Sequence, residues 1–173
     1  MDEEIVLLNE NGIPVGRAPK LQSHSYKTPL HLGFSCYIFN KDGQFLLTKR
    51  ADTKKVWPGV WSNSVCGHPA PGESITGAIK RRCLFELGLD DIREIEVILP
   101  EYRYKTPLFN GIMENEICPV YTATTHKNPK LNLTEVSEYK WLGWNEVLDD
   151  VKAKPEQYTY WFKDQIPKIK VGS

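Results

Sequence analysis

The chain has 173 residues and 40% apolar side chains, enough for one compact domain with one sizeable core, expected to span 1–173. Lys plus Arg and Asp plus Glu number 22 each, so the basic excess of an electrostatic nucleic-acid binder is missing and no nucleic-acid partner is expected. The start, MDEEIVLL, is acidic where a secretory leader is basic, and no stretch approaches the roughly 18 apolar residues of a membrane span.

A cytoplasmic protein is therefore expected, with Cys36, Cys66, Cys83 and Cys118 as reduced thiols. No CxxC pair is present, which argues against a zinc ribbon. In chain order, EEIVLLNENGIPVGRAP reads as two short strands around Asn11-Gly12, a strong turn dipeptide. HLGFSCYIFNKDGQFLLTKR repeats that logic around Asp42-Gly43. In ESITGAIKRRCLFELG the period changes: Ile75, Ala78, Ile79, Cys83 and Leu87 recur at steps of three and four, which predicts a helix over 74–87 stopped by Gly88. Ser74 suits its N-cap, although Glu73 beside it suits a ligand equally well. REIEVILPEYRYKTP and MENEICPVYTATT read as strands, with Pro119 at an edge or irregularity. YKWLGW is a further strand, and WNEVLDDVKAKPEQYTYWFKDQIPK reads as two helical pieces broken at Pro155. Strands, a central helix, more strands and terminal helices make an α+β fold, with helices packed against a mixed or antiparallel sheet.

Three groups of residues carry chemistry. His24 and His31 flank SYKTPL, and His68 follows Cys66-Gly67; each imidazole alone reads equally as a surface or satisfied core residue, yet neutral imidazole is the commonest metal ligand. Glu114 and Glu116, two apart in a strand, share one face. On an outer face they are solvated charges. ICPVY follows at once, however, and two like charges beside a core are unfavourable unless a cation neutralises them. Three histidines and two carboxylates make a borderline N/O donor set suited to Mn²⁺, Zn²⁺ or Mg²⁺. Finally, Lys20, Arg50, Lys54 and Arg82 flank this region and suit an anionic ligand, and Trp57, Trp61, Tyr104 and Trp161 supply either core packing or an aromatic wall that stabilises a cation.

From Gly67 the pattern G-x5-E-x7-R followed by RCLFELGL resembles the Nudix signature, in which a loop and helix hold metal against a diphosphate. Two acids of that signature are replaced here: Arg82 follows Arg81, and Phe85-Glu86 stands for a Glu-Glu pair, so the hydrolytic cluster is depleted. Together, a histidine-flanked segment ending at His31, LLTKRADTKKVWPGVWSNSVCGHP, GESITGAIKRRCLFELG, YRYK and ENEICPVY make the chain similar to type I isopentenyl-diphosphate delta-isomerases over about residues 20–145. The resemblance implies a Nudix-like fold and metal-dependent, flavin-free interconversion of isopentenyl and dimethylallyl diphosphate. It implies His24, His31, His68, Glu114 and Glu116 as ligands of one divalent metal, and Glu86 as the holder of a Mg²⁺ that bridges to the substrate. It also implies Cys66 and Glu116 as the acid–base pair assisted by Tyr104, with Lys20, Arg50, Lys54 and Arg82 on the diphosphate and Trp161 in the pocket. A monomer is expected, because no long exposed apolar segment is evident. Two other readings compete. A Nudix pyrophosphohydrolase would rely on Glu73 and Glu86; a metal-stabilised binding module would leave Cys66 inert.

Overall fold

In a computed structural model, which describes residues 3–171, the chain forms two sheets and four α-helices. The first sheet has the order β2-β1-β3-β10-β9. Its strands are β1 (Glu4–Leu8), β2 (Pro14–Pro19), β3 (His31–Leu32), β9 (Arg103–Lys105) and β10 (Asn115–Ile117). The second has the order β12-β5-β4-β11-β8, built from β4 (Phe34–Phe39), β5 (Phe45–Arg50), β8 (Arg93–Leu99), β11 (Val120–Thr124) and β12 (Val136–Leu142). Two short strands, β6 (Trp61–Ser62) and β7 (Val65–Gly67), pair onto β5 and β4. The class is α+β, as the order of elements predicts.

Two chain segments run side by side from one sheet into the other. β3 passes into β4 at Gly33, and β10 passes into β11 at Cys118-Pro119, with parallel pairing on both sides of the crossing. Gly33 N–H donates to the Ile117 carbonyl at 2.9 Å and Ser35 N–H to the Pro119 carbonyl at 3.2 Å, so the ladder bridges the crossing. The irregularity expected at Pro119 is this break. Proline lacks the N–H a continuous ladder would need.

Period-two alternation along β4 sorts its side chains onto two cores. Phe34, Cys36 and Ile38 join Ala78, Ile79, Cys83 and Leu87 of α2 (Ile75–Leu87), while Tyr37 joins Phe45, Val147, Val151 and Phe162. The last three come from α3 (Trp144–Ala153) and α4 (Tyr160–Gln165), so the second sheet lies between helices. The Ser74 hydroxyl accepts from Gly77 N–H at 3.1 Å and caps α2, while Gly88 ends it at φ 62°. Glu73, the competing cap-region residue, pairs with Arg81 instead.

Elsewhere the structure redraws sequence boundaries. Trp144 opens α3 rather than ending a strand, and β12 begins earlier, at Val136. β6 and β7 lie in a stretch whose apolar pattern is too short to announce a strand. The single turn α1 (Lys20–Ser23) was likewise unannounced; it rests on the Ser23 hydroxyl donating to the Pro19 carbonyl at 2.7 Å. No helix among the described residues is long and apolar enough to cross a membrane.

Candidate active site and metal centre

Register places the first three residues of the site. His31 lies opposite Glu116, and Glu116 lies opposite Tyr104, so the three sit in one row across β3, β10 and β9. His24 follows α1, His68 follows β7, and Glu114 precedes β10. One ligand atom from each of His24, His31, His68, Glu114 and Glu116 falls within 4.8 Å of every other.

The rings are oriented from behind. His24 Nδ1 donates to the Lys20 carbonyl at 2.8 Å and His31 Nδ1 to the Pro29 carbonyl at 2.9 Å. A carbonyl only accepts, so both Nδ1 atoms carry a proton; in a neutral ring the Nε2 lone pair then faces inward, and in a protonated ring Nε2 donates instead. His24 Nε2 meets Glu114 Oε2 at 3.1 Å; His68 Nε2 and His31 Nε2 meet Glu116 Oε1 at 2.7 and 3.3 Å. The Nε2 atoms of His31 and His68 are only 3.3 Å apart, an arrangement of converging donors that a shared cation relieves. The donor set thus fits a divalent metal.

The electrostatics agree with a tightly coupled cluster. Burial acts to raise the Glu116 carboxyl, but the His68 charge and hydrogen bonds from both buried imidazoles hold it well below the usual range. Burial acts to lower His24, and Glu114 outweighs it, so that His24 is raised; for His68 burial prevails and the ring is lowered. Gly33 makes room for Glu116. A Cβ there would lie 2.3 Å from Glu116 Oε2.

The cluster opens on a cavity of about 510 Å³ lined also by Cys66, Tyr104 and Trp161. Cys66 sits opposite Ser35 in the β4–β7 pairing. Its Sγ donates to Asn63 Oδ1 at 3.0 Å, and that oxygen also accepts from Trp161 Nε1 at 3.1 Å. The Asn63 amide nitrogen donates to the Val65 carbonyl at 3.0 Å, which fixes which end of the carboxamide faces the sulfur. Ser35 Oγ lies 3.7 Å from Cys66 Sγ and 3.5 Å from Cys118 Sγ, and accepts from Gln165 Nε2 at 2.9 Å. Its own hydrogen is therefore left for a sulfur. Burial pushes the Cys66 thiol up to about 11, against the smaller opposing pull of Ser35, Asn63 and Arg50. Tyr104 donates to Glu116 Oε2 at 3.2 Å, and burial, followed by the Glu116 charge, keeps its own hydroxyl protonated.

The cations named from sequence all line the same cavity. Arg50 donates to the Val56 and Trp57 carbonyls and stacks over Trp161, its guanidinium 5.4 Å from the ring. Lys20 Nζ pairs with Glu3 Oε2 at 2.7 Å, Lys54 with Glu135, and Arg82 with both Glu86 and Glu135. Glu86 lines the cavity but stands outside the His/Glu cluster. Asn63, Ser35, Gln165, Glu3 and Glu135 were not singled out in the sequence. Asn63 lies in the informative NSVCGH stretch, but nothing local marks Glu135, whose partner Lys54 is 81 residues away.

Residues 29–162 match the NUDIX domain family. Curated proteins named Isopentenyl-diphosphate Delta-isomerase align along nearly the whole chain. The one from Kocuria rhizophila is 46% identical over 164 residues, covering 95% of this chain and 91% of that protein. The one from Paenarthrobacter aurescens is 47% identical over 169 residues, covering 96% and 90%. Among solved structures, a Deinococcus radiodurans protein superposes with a TM-score of 0.74 at 20% identity, covering 96% of this chain and 98% of its own. A MutT protein from Methanosarcina mazei gives 0.63 at 22% identity, covering 81% and 92%. These two likenesses show the fold alone, and it is the Nudix-like fold expected from the sequence.

Proposed function

This chain belongs to the isopentenyl-diphosphate Delta-isomerase family of NUDIX-domain proteins, and from that premise we infer that it interconverts isopentenyl diphosphate and dimethylallyl diphosphate by placing one proton on the carbon skeleton and removing another. The observation that carries a mechanism is geometric: Cys66 and Glu116 line one cavity, where burial pushes the thiol up and the neighbouring imidazoles hold the carboxyl low, which favours one proton donor and one acceptor. One group can give a proton to one carbon while the other takes a proton from a second carbon, which transposes the double bond with no net change in charge. After one turnover the two protonation states are exchanged, and the reverse reaction uses the same pair.

The remaining residues have supporting roles. Tyr104 donates a hydrogen bond to Glu116 Oε2 and steadies the carboxyl that exchanges the proton. Asn63 and Ser35 hold the Cys66 sulfur from two sides. Protonating the alkene builds positive charge on a tertiary carbon, which water would trap; the Trp161 ring stabilises such a charge without attacking it. Lys20, Arg50, Lys54 and Arg82 are the candidate diphosphate contacts. The His24, His31, His68, Glu114 and Glu116 set would hold one divalent ion (Mn²⁺, Zn²⁺ or Mg²⁺) that makes Glu116 a stronger acid, and Glu86 would hold Mg²⁺ against the diphosphate. A diphosphate hydrolase is disfavoured: the acid its signature needs after Arg81 is Arg82, and Glu73 is tied to Arg81. The four unpaired cysteines support a reducing compartment such as the cytoplasm, and the balanced charge supports a small-molecule partner rather than nucleic acid. Monomeric action is part of this reading.

Incubation with isopentenyl diphosphate and Mg²⁺ in D₂O, followed by NMR, tests it. Deuterium should enter the substrate pool and dimethylallyl diphosphate should form without phosphate release. Phosphate release with no deuterium incorporation would replace this reading with hydrolysis.

A further inference from the structure

Every cation offered to the diphosphate is already engaged inside the protein. Lys20 is held by Glu3, Arg50 by backbone carbonyls, and Lys54 and Arg82 by carboxylates. Glu135 stands apart because a single oxygen, Oε2, bridges two of these cations from different elements. It contacts Lys54 of the loop after β5 and lies 3.3 Å from Arg82 Nη2 on α2. Glu86 Oε1 accepts from Arg82 Nε at 2.9 Å and also contacts the Nη2 that faces Glu135.

The backbone holds Glu135 in that place. Ala51 N–H donates to the Glu135 carbonyl at 3.0 Å, Glu135 N–H donates to the Asn132 carbonyl at 2.9 Å, and Asn132 N–H donates to the Glu86 carbonyl at 2.9 Å. This chain of bonds links the C-terminal turn of α2 to the loop bearing Lys54. With the Glu135 side chain only 20% exposed, its charge is weakly screened by solvent.

Charge balance suggests what that carboxylate does. At this end of the cavity the partly buried cations are Lys20, Arg50, Lys54 and Arg82, and the carboxylates are Glu3, Glu86 and Glu135, a surplus of one positive charge. Lys55 also reaches the lining but is exposed and solvent-screened. A diphosphate monoester carries about three negative charges near neutral pH. Bare, it would leave the site negative; complexed with one divalent cation, it matches the surplus. Resting on the isomerase reading above, we propose that Glu135 sets the preference of this site for a magnesium-complexed diphosphate over a bare one. Its carboxylate competes with a bare anion for Lys54 and Arg82, and it favours any bound species that brings its own cation.

Isothermal titration calorimetry with inorganic diphosphate, with and without Mg²⁺, tests this on protein whose His/Glu centre has been loaded and checked by metal analysis after each titration. Wild-type protein should bind diphosphate much more tightly with Mg²⁺. Glu135→Gln keeps the shape and removes the charge. It should bind bare diphosphate on the order of tenfold more tightly, and the Mg²⁺ enhancement should shrink by a similar factor. Glu135→Asp keeps the charge and should retain the wild-type preference. If Glu135→Gln binds both forms like wild type, or weakens both in parallel, Glu135 only pins the loop and the proposal is wrong. If wild-type protein binds neither form, the diphosphate reading of the cavity fails instead.

Discussion

Cys66 and His68 are two residues apart and serve different environments. Around Cys66 burial dominates, Ser35 and Asn63 hydrogen-bond the sulfur, and the opposed charges of Arg50 and Glu116 add smaller effects, so the thiol is pushed up to about 11. At pH 8 about one molecule in a thousand is then thiolate. Alkylation of Cys66 by iodoacetamide in metal-free protein should accordingly be slow at pH 8. It should speed up about tenfold per pH unit until pH approaches 11; a rate that levels off below pH 9 would contradict this environment. Cys66→Ala should abolish isomerisation and shift stability by only about 1 kcal/mol, because one small side chain and one thiol hydrogen bond are lost; turnover and a thermal melt on the same sample check both halves. His68 behaves differently. His68→Ala removes the imidazole that faces Glu116 at 2.7 Å, and metal analysis should show the bound divalent ion lost.

Among the elements, the crossing at Gly33 matters more than its length suggests. It lets β3 and β10 bring His31 and Glu116 side by side, and its missing side chain is the space Glu116 occupies. Gly33→Ala should leave circular dichroism near wild type while weakening metal binding by tenfold or more, since Glu116 must move from its place; unchanged metal affinity would show that the neighbourhood relaxes freely. A second connection links β8 and β11. Asp91 accepts from Thr125 Oγ1 and from His126 N–H at 2.9 Å. Burial acts to raise its carboxyl, but these bonds outweigh it and the pKa is lowered. A depressed folded-state value means the stabilisation is fully present above the ordinary carboxylate range and is lost as pH falls through the depressed value. Asp91→Asn should thus lower stability at pH 7 and flatten the acid limb of a melting-temperature profile against pH.

At the level of the whole molecule, the proposed metal centre gathers residues from stretches as far apart in the chain as His24 and Glu116. Its ligands come from the residue after α1, from β3, from the residue after β7, from the residue before β10 and from β10 itself, so both sheets contribute to it. A ligand bound only by the folded state stabilises by mass action, about 2.7 kcal/mol at a free concentration a hundredfold above Kd. For a chain of this size that raises Tm by roughly 5–10 °C. Stripping with a chelator should lower Tm by that amount, and restoring the preferred ion should recover it. A melt indifferent to metal would argue against these five residues as a bound-ion site.

Local pattern alone determined a good deal. The period of Ile75, Ala78, Ile79, Cys83 and Leu87 gave α2, and Gly88 marked its end, because side-chain spacing and left-handed caps are properties of a few consecutive residues. The turns at Asn11-Gly12 and Asp42-Gly43 were legible for the same reason, as both glycines hold positive φ. The pairing of Glu114 with Glu116 followed from strand alternation. Family resemblance carried the identity of the chemistry, because WSNSVCGHP and ENE together are specific. Tertiary structure alone decided which charges face one another. That Arg82 on α2 meets Glu135, that Lys54 meets the same carboxylate across 81 residues of chain, and that Ser35 and Gln165 stand behind Cys66 are all consequences of tertiary packing, whereas the Arg82–Glu86 pair is set by helix spacing alone. Electrostatic energy depends on distance in space, and spacing along a sequence fixes that distance only within one helix turn or one strand.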